Sequence, residues 1–133
     1  MWVQFNANPM QHTDDDCSVR AIAKALGIDW ETAYLMLTRM GFSMAKMTHG
    51  NDVIAGLLRA NGFKKMFPPD DCPDCYSAET FAERNPQGTF VVFSPNHVAT
   101  VEDGNLYDTW DSSGKTILYV FYKDEEPIFE EEE

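Results

Sequence analysis

The chain has 133 residues, is 44% hydrophobic and carries a formal net charge of −12. That length suits one domain with one hydrophobic core, and no stretch approaches the roughly 18 consecutive apolar residues of a membrane span. Ten basic residues, thinly spread, do not supply the clustered Lys and Arg that binding to nucleic-acid phosphates requires.

The domain is expected over 1–123, with an acidic tail over 124–133. Seven acids and no base fall in that tail, so the rest of the chain carries −5. A run of acids is more often a solvated tail than a partner-binding element. Residues 1–10 lack the basic-then-apolar pattern of a secretory signal. The three cysteines, Cys17, Cys72 and Cys75, are too few and too odd in number for a disulfide framework and fit a reducing compartment. The expectation is a cytoplasmic protein, bacterial or phage-encoded.

Residues 1–6 read as a short strand with Val3 and Phe5 on one face, broken by Asn8-Pro9. Asp14, Asp15 and Asp16 precede a helix running from Cys17 to about Leu26. One of the three is expected to cap it, and Gly27 to stop it. Cys17, Ala21 and Ala25 fall four apart and form a stripe of small side chains that neighbours can approach closely, as a central helix requires. Asp29 caps a second helix, with Trp30, Ala33, Tyr34 and Leu37 on one face and Gly41 as its end. Met36, Met40, Met44 and Met47 read as core filler or loop lining.

A third helix covers about 51–61, with Val53, Ile54, Leu57 and Leu58 inward and Gly62 as the stop. Residues 63–67 read as extended, Pro68-Pro69-Asp70-Asp71 as a loop, and Ser77 as the cap of a short helix to about Arg84. Strands follow over 89–93, 97–102, 105–110 and 116–123. Pro95-Asn96 interrupts the first two, and Asp103-Gly104 is a strong hairpin signal between the next two. Helices first and an antiparallel sheet after them give an α+β fold, a helical half with a central cysteine-bearing helix packed on the sheet.

Cys17 stands in the first turn of its helix, where the positive end of the helix dipole favours a thiolate by about 0.3–1 kcal/mol at an exposed site. Position alone favours plain burial, since cysteine is a common core residue. Asp14, Asp15 and Asp16 would also repel a thiolate, so a reactive Cys17 needs an imidazolium partner. His12 and His49 lie in polar, loop-like sequence and read as surface residues. His97 opens a strand directly after Pro95-Asn96, a place from which a side chain can project into a cleft.

With a two-residue Asp103-Gly104 turn, Val101 faces Leu106, Ala99 faces Asp108 and His97 faces Trp110. Alternation then puts all six on one face. Asp108 becomes the diagonal neighbour of His97, within reach of its ring. There it can hold one ring nitrogen and leave the other for the thiol. Asp111 has the wrong parity. Arg20, one helical turn from Cys17, is a candidate to quench the three aspartates, and Trp110 to shield the His97–Asp108 contact; a solvated arginine and plain sheet packing are the alternatives.

A cysteine starting a helix, a histidine far downstream on a strand and an acid on the next strand resemble the papain-like cysteine peptidase superfamily. Gln11, six residues before Cys17, matches the glutamine that donates to the oxyanion in such enzymes. The segments Asp16-Cys17-Ser18-Val19-Arg20-Ala21-Ile22, Cys72-Pro73-Asp74-Cys75-Tyr76, Asn96-His97-Val98-Ala99 and Asp103–Asp111 are similar to small proteins of gut Firmicutes and their phages that are labelled papain-like or peptidase-like. The resemblance implies a papain-like fold, a Cys17–His97–Asp108 triad with Gln11 at the oxyanion, a peptide or protein substrate and no cofactor. Departing from the peptidases, Cys17 lacks their Gly- and Trp-flanked motif.

Cys72 and Cys75 form a close pair. Structural zinc wants four ligands, and no histidine follows at finger spacing, so a thiol pair ranks first, a disulfide second and a metal or redox site last. The expected activity is thiol acyl transfer on a peptide or isopeptide amide. The alternatives are a non-catalytic papain-like module, such as a phage protein that binds a host factor, and a structural phage component.

Overall fold

The computed structural model describes residues 1–13, 15–68 and 76–123. The pair Cys72/Cys75, Asp14 and the tail over 124–133 lie outside the described residues. In chain order the elements are β1 (Trp2–Gln4), α1 (Cys17–Leu26), α2 (Trp30–Met44), α3 (Asn51–Ala60), β2 (Phe63–Met66), α4 (Ala78–Arg84), β3 (Thr89–Ser94), β4 (His97–Glu102), β5 (Asn105–Asp108) and β6 (Tyr119–Lys123). The fold is mixed α+β, and no described helix is long and apolar enough to cross a membrane.

Two tight turns organise the centre of the sheet. Asp103 and Gly104 have φ of 52° and 81°, the two positive values that a type I′ hairpin turn demands. They pair Glu102 with Asn105, Val101 with Leu106 and Thr100 with Tyr107 in the expected register. Pro95 and Asn96 make a second two-residue turn rather than a mere interruption. Asn96 takes the left-handed value (φ 57°) that follows proline in a type II turn, and Ser94 pairs with His97 across it.

The sheet differs from the expected C-terminal antiparallel one. Its order is β1-β5-β4-β3-β6-β2, so both edge strands come from the first half of the chain. β1 pairs in parallel with β5, while β2 pairs antiparallel with β6. β1 is held at its ends as well: the Met1 ammonium donates to Gly104 O at 3.0 Å and Phe5 N–H to Asp108 O at 2.8 Å. An edge strand leaves a row of backbone groups unpaired, and these two additions cover groups that β5 and β6 would otherwise expose.

Alternation along the strands feeds two cores. Val91, Phe93, Val98 and Phe121 face α1, α2 and α3 and pack with Ile22, Leu37, Ile54 and Leu58. Val92, Ala99, Val101, Leu106 and Val120 face the other way and pack with Phe81 and Ala82 of α4. The sheet is therefore covered on both sides. α1 lies over the central strand β4, close enough for Thr100 Oγ1 to donate to Ala21 O at 2.7 Å. That approach uses the small-residue stripe of α1.

α1 ends at Gly27 in the left-handed conformation (φ 67°). Ser77 and Asp29 cap their helices through the amides of Thr80 and Thr32. Asp16 occupies the N-cap position of α1, but its side chain makes no cap hydrogen bond. Gly41 does not stop α2, which continues to Met44 and closes on Ala45 in the left-handed conformation. Instead Gly41 is where the chain folds back closely, since a Cβ there would sit 2.8 Å from Lys46 O. Met40 and Met44 flank Gly56 of α3 at ordinary contact distance, whereas Met47 is exposed.

These two helical glycines should respond oppositely to alanine. Gly41→Ala must displace backbone and should destabilise by about 1–3 kcal/mol. Gly56→Ala meets only methionine side chains at 3.5 Å or more and should stabilise by up to about 1 kcal/mol through helix propensity. Chemical denaturation of the two variants beside the parent chain checks the signs.

Candidate active site

His97 is the first residue out of the Pro95-Asn96 turn, at one end of the sheet. At that end the β4–β5 ladder opens: backbone pairing stops at Thr100 and Tyr107, while β5 stays with β1 through Phe5 N–H and Asp108 O. β5 itself ends at Asp108 rather than continuing to Trp110. Ala99, Val101 and Leu106 keep the α4-side face that their parity assigns. The His97 and Asp108 side chains, beyond the closed part of the ladder, instead reach groups of α1, which lies on the other side of the sheet.

His97 Nε2 lies 2.5 Å from Asp108 Oδ2. The same oxygen accepts from Ser112 Oγ at 2.6 Å, and Oδ1 accepts from Thr109 N–H at 2.8 Å. Asp108 is 3% exposed and is fully engaged. Asp111 is turned away, with its carboxylate accepting from the Ser113 amide and hydroxyl. With Nε2 committed to Asp108, Nδ1 remains for the Cys17 thiol, which is hydrogen-bonded to His97. The Trp110 ring packs against the imidazole at 5.1 Å between centroids.

The electrostatics follow from these contacts. Burial pushes the Cys17 thiol up, but the His97 hydrogen bond, the Val98 amide and the charges of His97 and Arg20 bring it below its ordinary value. Burial pulls His97 down, but the hydrogen bonds and charges of Asp108 and Cys17 raise it to about 9. Burial pushes Asp108 up, and the His97 and Ser112 hydrogen bonds hold it below the usual carboxylate range. All three directions favour a thiolate–imidazolium pair at neutral pH.

Two of the aspartates before the helix, Asp15 and Asp16, lie within the described residues. Asp15 is exposed. Asp16 is buried and directed away, ion-paired with Arg20 and accepting from Asn8 Nδ2 at 3.1 Å and Trp30 Nε1 at 3.0 Å. Arg20 is buried as well, and its second nitrogen lies 3.6 Å from Asp108 Oδ1. It is not a solvated arginine but the link between the helix start and the acid of the site.

Gln11 is not brought to Cys17. It adopts a left-handed turn conformation (φ 59°), is exposed, and its side-chain amide donates to Asn8 O at 2.8 Å. Turn geometry has taken the donor that the six-residue offset suggested. His12 is exposed, as expected; His49 is exposed too but lines a cleft beside Cys17. That cleft, of about 560 Å³, runs between the starts of α1 and α3. A second, of about 350 Å³, runs past Thr13, Thr109 and Trp110. Cys17 and His97 line both, so they stand where the two meet.

Sequence reasoning missed Ser112, Asn8 and Trp30. Ser112 lies in a turn whose composition carries no sign of a contact four residues back, and the other two meet Asp16 only through tertiary packing. No protein-family model, curated protein or solved structure matches this chain.

Arg20→Met should destabilise the fold by about 3–5 kcal/mol, because it strands two buried carboxylates without their cation. Adding Asp16→Asn should recover part of that loss by removing one of the stranded charges. Denaturant unfolding of the single and double variants measures both steps.

Proposed function

We propose that the protein is a papain-like cysteine hydrolase that performs thiol acyl transfer on a peptide or isopeptide amide. One observation carries the reading: thiol, imidazole and carboxylate form a continuous chain of hydrogen bonds at the junction of two clefts, with Nε2 taken by Asp108 and Nδ1 left for Cys17. A non-catalytic module that binds a host factor has no use for such an arrangement. The cytoplasm of a bacterial or phage-infected cell is the setting that goes with it, since a reducing environment keeps the thiol free.

In this mechanism the Cys17 thiolate attacks the substrate carbonyl carbon. The oxyanion that develops is met by the Cys17 backbone N–H at the start of α1. The Asp16 side chain makes no cap hydrogen bond at this helix start. As the C–N bond breaks, imidazolium Nδ1–H protonates the leaving amine and a thioester remains on Sγ. His97 then takes a proton from water, the hydroxide adds to the thioester, and collapse releases the acid and restores the ion pair. Asp108 is a positioning residue: it fixes which ring nitrogen faces sulfur and stabilises the ring's charge.

The pH window has two limbs. The thiolate is present above the depressed Cys17 value, so alkylation by iodoacetamide should already proceed at neutral pH instead of rising only near the free-thiol value of about 8.5. His97→Ala should return that rise to the free-thiol position; peptide mapping separates Cys17 from the other two cysteines. A Cys17 profile like that of a free thiol, unmoved by His97→Ala, would sink the enzyme reading.

The imidazolium is present below about 9, so turnover of a peptide amide should fall as pH rises through that value. Asp108→Asn removes the charge that raises His97, and should shift this alkaline limb downward. A purely structural role for Asp108 would lower activity without moving it. Turnover of a fluorogenic peptide amide against pH reads the difference.

A further inference from the structure

The four helices among the described residues begin in different ways. α2 and α4 are capped by side chains, Asp29 to Thr32 N–H and Ser77 to Thr80 N–H. α1 has no such cap, because Asp16 is drawn off to Arg20, Asn8 and Trp30; at α3 the N-cap is Gly50, which has no side chain, but Asp52 in the first turn accepts from Val53 N–H at 3.0 Å and is ion-paired with Lys46. Both helix starts open on the same cleft, which Cys17 and Ser18 line from α1 and Asn51 lines from α3. Uncapped amides at the positive end of a helix dipole attract anions.

Ser18 adds an independent sign of a ligand. It is 5% exposed, lines the cleft, and its hydroxyl has no hydrogen-bond partner among the described residues. A buried hydroxyl left unsatisfied is destabilising; those of Thr100 and Ser112 each donate, to Ala21 O and Asp108 Oδ2, while Ser94, equally buried, has no hydroxyl partner among the described residues either but does not line the cleft. At the mouth stands the Asn96 carboxamide, also without a partner among the described residues, and buried Ile54 offers an apolar surface for methylene groups. Asp15, the one acid among the described lining residues, is exposed, where water screens it.

Building on the hydrolase reading above, we infer that this cleft receives a substrate carboxylate next to the scissile carbonyl, with Ser18 Oγ–H and the uncapped amides of α1 as its donors. The carboxylate is the side chain of an acidic residue or a free chain terminus. Ser18 is then a specificity residue whose hydroxyl meets its acceptor only when substrate is bound.

The test uses end-blocked peptide vinyl sulfones differing only in the residue that bears the electrophile, Glu, Gln, Lys or Leu. A second pair of probes is an epoxysuccinyl-leucine amide as the free acid and as its ethyl ester. Labelling of Cys17 is followed by peptide mapping. The Glu probe should label about tenfold faster than the Gln, Lys and Leu probes, as expected for hydrogen bonds to a charged group, which assigns the side-chain source. The same preference for free acid over ester alone assigns the terminal source.

Ser18→Ala should reduce that preference about tenfold while leaving the thermal midpoint undiminished, since it deletes an unsatisfied hydroxyl. Lys or Leu probes as fast as Glu, with ester as fast as acid, overturn the inference and leave the hydrolase reading standing. A preference untouched by Ser18→Ala removes it from this cleft. If no probe labels Cys17 faster than it labels free cysteine, both readings fail together.

Discussion

Arg20 holds two carboxylates that are themselves buried, Asp16 at the start of its own helix and Asp108 at the end of β5. Three charges in so little water are tolerable only if every one is paired and hydrogen-bonded, and the structure spends several elements on meeting that condition. The N-terminal loop supplies Asn8, α2 supplies Trp30, and the segment after β5 supplies Thr109 N–H and Ser112. The path of the loop before α1, the seat of α2 and the turn after β5 are thus tied to one guanidinium. Both Cys17 and Asp108 take their positions from elements fixed in this way.

The same network accounts for the bare start of α1. An aspartate at an N-cap ordinarily accepts from the amides two or three residues on, a contribution of about 1 kcal/mol. Asp16 has three other donors, so the helix forgoes that stabilisation and keeps its first amides unoccupied beside the Cys17 sulfur. Stability forgone at the helix start appears as an electropositive pocket, which is how strained or unsatisfied features commonly arise at sites of chemistry.

Much of this was legible in the chain, for reasons that can be stated. Asp103-Gly104 has only one comfortable geometry between two strands, so the Val101–Leu106 register followed from two residues. The stop at Gly27, the caps Asp29 and Ser77, and the inward face of α3 are local properties of the kind that sequence records well; of the face expected for α2, Ala33 and Leu37 are buried but Tyr34 is exposed. Parity led to Asp108 rather than Asp111, but through an incomplete picture. Strict alternation puts His97 and Asp108 on the α4 side, and they meet α1 because the ladder opens beyond Thr100 and Tyr107. A ladder's end is set by tertiary contacts, here the parallel addition of β1, and nothing in residues 1–6 announces a partner a hundred residues away. Gln11 shows the reverse error. A matching residue at a matching offset lost its donor to an adjacent turn, and offset carries no information about backbone conformation.

Asp16, one of the aspartates that on sequence argue against a thiolate, is engaged by Arg20 instead. Arg20 lies near the site, and a cation there stabilises the thiolate but opposes charge on His97. Asp16 holds Arg20 in direct contact, whereas Asp108 is 3.6 Å from its other nitrogen. Asp108 is therefore left to His97, at 2.5 Å, and that nearer contact outweighs the more distant cation. The imidazole is raised to about 9 by the hydrogen bonds and charges of Asp108 and Cys17, against the downward pull of burial. Without Asp16, Arg20 would be free to settle on Asp108, compete with Nε2 for its oxygens and draw His97 back toward the neutral form. The acid beside the nucleophile thus acts through the arginine, whose nearer contact it takes.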